Sequence, residues 1–147
     1  MYRDIIHDKM KRFFSVLAMA VMLVCSGVNA QNTKTSYQPK TISEAVFQLN
    51  EVLSEAQKAD VRSVTEEEFM LGTKSALAKW VQQNWLYTKG TSGQNLPSAL
   101  RKYMVELDVV NDEDMADVIL RTFYRWFNNT DLGLQEQVAA MRNKSKK

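Results

Sequence analysis

Asn111-Asp112-Glu113-Asp114-Met115-Ala116-Asp117-Val118-Ile119-Leu120-Arg121-Thr122-Phe123-Tyr124-Arg125-Trp126-Phe127 is the stretch that decides the fold class. Met115, Val118, Ile119, Thr122, Phe123, Trp126 and Phe127 recur at spacings of three and four, which puts them on one face of an amphipathic helix. Asn111 is a good cap, and the three acidic residues after it complement the positive end of the helix dipole. The run Asn128-Asn129-Thr130-Asp131-Leu132-Gly133 ends the pattern.

The same period extends in both directions. Thr41-x-x-Glu44 is a capping box, followed by the stripe Ile42, Ala45, Val46, Leu49, Val52 and Leu53. Thr65-x-x-Glu68 is a second box, with Phe69, Thr73, Ala76, Leu77, Trp80, Val81 and Asn84 as its stripe. Thr88 to Gln94 is a Gly/Ser-rich loop that leads into Pro97, a favourable first helical residue, and Ala99, Leu100, Tyr103, Met104 and Leu107 follow. A last short helix is expected around Leu134 to Met141. The pattern predicts an all-α fold, a single compact domain of four or five amphipathic helices over residues 41–141. A flexible leader at 31–40 precedes it, and a basic, solvated tail at 142–147 follows.

The chain begins with a three-part secretory pattern. Lys9, Lys11 and Arg12 form a basic opening, Phe13 to Cys25 an apolar run, and Val28 and Ala30 the small residues at minus three and minus one. The apolar run is 13 residues long, whereas a membrane span needs roughly 20. Residues 1–30 therefore read as a signal peptide cleaved after Ala30, giving a secreted or periplasmic chain with no transmembrane segment once mature. Met10 would give a cleaner start than Met1, whose first residues include Asp4 and Asp8. Lipidation at Cys25 is the alternative to ordinary cleavage, although Met22-Leu23-Val24 lacks the small residue that signal prefers.

Composition narrows the chemistry. Arg3, Lys9, Lys11 and Arg12 against Asp4 and Asp8 account for the whole net charge of +2, so the mature chain is formally neutral. A nucleic-acid partner is accordingly not expected. The one Cys (Cys25) and the one His (His7) both precede the cleavage site. The mature chain thus lacks the means for a disulfide, a Ser-His-Asp triad or an ordinary zinc site, and no cofactor or metal is expected. An EF-hand counted from Asp108 would place Glu113 where Gly belongs and Ile119 where the final Glu belongs. The acidic residues there read instead as a helix start, with Asp117 set to pair with Arg121.

For a ligand site the best candidates are Trp85 and Tyr87, which enter the Gly/Ser loop where side chains reach the surface, with Lys74 and Lys79 framing them in positive charge. Trp80 and Trp126 lie on their stripes and are expected in the core, and Asn84 is expected to face inward.

The run Trp80-Val81-Gln82-Gln83-Asn84-Trp85, the acidic opening Glu66-Glu67-Glu68, and Asp114-Met115 through Val118-Ile119-Leu120 to Thr122-Phe123-Tyr124-Arg125 carry a resemblance. Over most of residues 42–137 the chain resembles the small secreted bacterial proteins of domain of unknown function 6794. That family often has a His and Gly-x-Gly before the tryptophan run, where this chain has Lys74, Ala76 and Ala78, and the loop after Trp85 is longer here. The resemblance implies export and a bacterial source of the Bacteroidetes kind, and supplies no activity. The reading is a non-enzymatic binding or interaction module of the bacterial envelope, its partner an envelope protein or glycan. The alternative is a carboxylate-dependent hydrolase of envelope glycans.

Overall fold

The caps of the sequence set most of the helix starts. In the computed structural model, which describes residues 37–144, the order is α1 (Ile42–Val52), α2 (Glu55–Ser63), α3 (Glu66–Thr73), α4 (Leu77–Trp85), β1 (Tyr87–Lys89), β2 (Asn95–Pro97), α5 (Ala99–Glu106), α6 (Asp112–Phe127) and α7 (Leu134–Lys144). The signal segment, the site after Ala30, Cys25, the first part of the leader and the last three residues of the tail lie outside the described residues.

The fold is mainly helical, as expected, but it has seven helices among the described residues and a two-stranded antiparallel sheet. Three features account for the difference. Glu55–Ser63 form α2, started by a capping box in which Ser54 and Gln57 satisfy each other's backbone N–H groups. Only Gln57 and Val61 of that helix are buried, which leaves a stripe too thin to read as a period. The predicted second helix is divided at residues 74–76. Just before the break, buried Gly72 is a weak helix former, and the Thr73 hydroxyl donates back to the Phe69 carbonyl at 2.9 Å. Finally, the Gly/Ser loop is the turn of a hairpin, with Tyr87 opposite Pro97 and Lys89 opposite Asn95. Gly93 supplies the positive φ of +78° that this turn needs. Pro97 thus ends β2, and Ser98 caps α5 by accepting from the Arg101 N–H at 3.1 Å.

The break resets the helical phase. α4 turns Leu77, Ala78, Val81 and Trp85 inward and leaves Asn84 exposed, its amide donating to the Trp80 carbonyl at 2.9 Å. The expected inward Asn84 is therefore corrected: its stripe assumed a continuous helix. Trp80 and Trp126 are half-buried rather than enclosed. Trp80 meets Trp85 edge-on with centroids 5.1 Å apart, and Trp126 meets the Phe47 ring at 5.6 Å.

α6 is the central element, packed against α1, α3, α4 and α7. Met115, Val118, Ile119, Leu120 and Phe123 are fully enclosed, with Phe69, Leu49, Val81 and Met104 among their buried partners in the core. The two ends of the described residues depart from the expectation. Gln38 donates to the carbonyls of Asn84 and Tyr87 at 3.0 and 2.9 Å, and Pro39 is buried, so the leader's last residues are docked. α7 runs on to Lys144, so that Arg142 and Lys144 lie in a helix and in ion pairs while staying exposed to water.

Candidate functional site

The four residues singled out for ligand contact do not form one site. Trp85 is 3% exposed and belongs to the core, because the reset phase of α4 carries it inward. Tyr87 is half-buried and committed locally. Its hydroxyl donates to Asp112 Oδ2 at 2.6 Å, and Arg101 lies over its ring at 5.4 Å while donating to Asp112 Oδ1 at 3.1 Å. This triangle ties the hairpin to the start of α6. Ser98 secures the other strand, its hydroxyl donating to the Trp85 carbonyl at 2.6 Å.

Lys74 and Lys79 do share a concavity. They line a shallow groove of about 570 Å³ with Leu71, Ser75, Gln82 and Glu113. Lys74 pairs with Glu113 at 3.3 Å, so one of the two framing cations is already balanced. Asp117 stands close enough to Lys74 and Glu113 to feel both charges. Burial pushes its carboxyl above the ordinary value, and its neighbours Lys74 and Arg121 oppose that rise. The expected Asp117–Arg121 pair does not define this region, because Arg121 turns its guanidinium to Glu66.

Glu66 is the best-held carboxylate of the domain. Arg125 donates to it from Nε at 2.8 Å and from Nη2 at 3.1 Å, and Arg121 approaches the same group. Hydrogen bonding from Arg125 is the main reason its pKa lies below the ordinary carboxylate value, against the opposing effect of burial. The Tyr124 hydroxyl donates to the Val64 carbonyl at 2.7 Å, so three successive polar contacts bind the start of α3 to the far half of α6. These residues hold the fold together.

Sequence reasoning missed an aromatic face. Phe47 is 61% exposed, although a ring of that size gains much from burial. It rests on Trp126, which lies 6.4 Å from buried Phe123; Phe127 stacks on Phe123 at 5.6 Å under the Arg62 guanidinium, 4.7 Å from its ring. The Phe47–Trp126 pair and the Phe127–Arg62 pair are thus linked through buried Phe123, which joins rings from α1 and α6 and a cation from α2. The available signal was a Phe on the polar side of the α1 stripe, set off from Ile42, Ala45, Val46 and Leu49.

Among the described residues no group of three or more His, Cys, Asp or Glu is placed to hold a metal ion, and no helix is long and apolar enough to cross a membrane. A family model, Domain of unknown function (DUF6794), matches residues 38–127. The chain belongs to this family. The DUF6794 stretch begins at Gln38, where the chain docks on α4 and β1, and ends at Phe127, the last residue of α6. It contains the groove, the Glu66 clamp and the aromatic face, and it leaves α7 outside. No curated protein and no solved structure matches the chain.

Proposed function

We propose that the protein is a non-enzymatic binding module exported to the bacterial envelope, and that it engages an envelope protein or glycan through the aromatic face of Phe47, Trp126 and Phe127. The exposed Phe47 ring on Trp126 is the observation that carries this reading. Aromatic side chains beside an arginine are the composition that dominates binding hot spots, since they offer large contact area at low entropic cost. The rings rise from packed helices, so the face is preorganised. The secretory pattern of residues 1–30 supports the location.

Phe47→Ser is the informative variant, because an exposed ring can be removed without opening the core. In a pull-down from envelope extract, Phe47→Ser should stay folded and lose the partner that the unaltered protein retains, whereas Leu71→Ser on the groove should keep it. Retention by Phe47→Ser and loss by Leu71→Ser would move the site to the groove.

Asp117 supports the second reading, a carboxylate-dependent hydrolase of envelope glycans. A carboxyl whose pKa is raised by burial, close to the Lys74 and Glu113 that line a groove, is the kind of group recruited as a general acid. On that reading, sugar release from envelope glycan falls at least about 100-fold in Asp117→Asn. Release that is absent from the unaltered protein, or unchanged in the variant, rejects it.

A further inference from the structure

The helix beyond the family stretch is attached differently from the others. α7 returns antiparallel to α6, so that its basic end meets the acidic start of that helix. Lys144 Nζ donates to Asp114 Oδ1 at 2.6 Å, and Arg142 Nη2 lies 2.8 Å from Asp108 Oδ2. Asp114 is nearly enclosed, its side chain 8% exposed, while Lys144 is 67% exposed. Water and salt therefore reach this contact from the α7 side.

Apolar packing beneath α7 is thin. Only Gln137 and Val138 are buried, with Leu134 and Met141 partly covered. Gln137 Nε2 donates to the Leu132 carbonyl at 2.8 Å and to Thr122 Oγ1 at 3.3 Å, but its Oε1 is buried without a hydrogen-bond partner. An unmet buried acceptor favours any state in which water can reach it. A groove of about 480 Å³, lined by residues including Leu107, Leu134, Val138 and Arg142, runs alongside and leaves the seam between α5 and α7 incompletely filled.

We infer that α7 is a releasable strap, closed over the Thr122 face of α6 by an electrostatic latch of Arg142 and Lys144. Release frees Asp114 and Thr122 of their α7 partners and bares Leu107, presenting a face of the family domain that the closed form covers. Ionic strength is the natural control, because both cations are exposed and salt weakens the attraction that draws them back once the contacts open. Release is local: α6 keeps its packing against α1, α3 and α4.

Hydrogen exchange followed by mass spectrometry on the purified protein tests this directly. Amides of 134–144 should exchange roughly tenfold faster in 1 M than in 0.05 M sodium chloride, as expected for losing one charge-assisted contact and one exposed pair. Amides of 115–123 should hold their rates. An Arg142→Gln, Lys144→Gln double variant should show the fast rate at low salt and no further response to salt, and Lys144→Arg should keep the response. The inference is overturned if α7 stays as protected as α6 in both salts and in the double variant. Equal acceleration of α6 and α7 also overturns it, because α7 would then be an integral part of the cooperative fold.

Discussion

α6 buries eight of its 16 residues, whereas α7, lying beside it, buries two of 11. Their termini carry matching charges, with Asp112, Glu113 and Asp114 opening the first and Arg142 and Lys144 closing the second. What differs is the stripe. α6 presents an unbroken apolar row to three other helices, so its position is set by burial. α7 buries only one valine and an imperfectly satisfied glutamine, with Leu134 and Met141 partly covered, so on the inference above charge carries a larger share of its attachment. The family match ends between them, at Phe127. Neighbouring helices can thus be held by forces that respond to different conditions.

The largest expected effect puts this contrast at risk. Phe123→Ala in α6 should cost about 3 to 5 kcal/mol, and Val138→Ala in α7 no more than about 1.5 kcal/mol, both read from urea unfolding. Similar losses at the two positions would mean that α7 belongs to the core as fully as α6.

Glu66 comes next, since its clamp anchors the far half of α6 by charge rather than by burial. Glu66→Gln should cost about 1.5 to 3 kcal/mol at neutral pH. Its folded-state pKa lies below the ordinary 4.5. The ionised form therefore stabilises the fold above that value, and the contribution is lost as pH falls through the lower, folded-state value. Unfolding titrated below pH 4.5 should show this acid leg in the unaltered protein and a weaker one in Glu66→Gln. Identical pH profiles would show that the clamp contributes nothing net.

The smallest effect is expected on the solvent side of α4. Asn84→Leu should change stability by no more than about 0.5 kcal/mol, because Asn84 is exposed and its main-chain carbonyl, the acceptor for Gln38, survives the substitution. A large thermal shift in either direction would show that Asn84 does more than its exposure suggests.

Most of the helices could be read from the chain itself because their caps and stripes agree. Asn111 accepts from the N–H groups of Glu113 and Asp114 as its position implied, and the Thr65–Glu68 box closes in both directions. The Thr41 box is only half made. Glu44 reaches back to the Lys40 N–H at 2.8 Å, one residue earlier than expected. The division at 74–76 was not legible, since the stripe continues across it in sequence and only the phase of α4 reveals the turn. That one break moved Trp85 into the core and Asn84 out of it. The four candidate site residues are dispersed: Lys74 sits in the break and Lys79 on α4, both lining the groove, while Trp85 belongs to the interior and Tyr87 to the hairpin anchor. The aromatic face gave little local signal because Phe47 and Trp126 are far apart in the chain and meet only once α1 packs on α6.

The hairpin also fixes where the polypeptide tolerates a cut. Residues 91–95 are all exposed, and exposed tips of this kind are where proteases nick folded domains. On one side of the tip, Tyr87 is fastened to Asp112 and Gln38; on the other, Ser98 is fastened to Trp85 and Leu86. Cleavage there would separate a piece holding α1 to α4 from a piece holding α5 to α7, with α6 still buried among helices of the first. The two pieces would remain one particle, and covalent continuity would matter less to this domain than the seating of one helix.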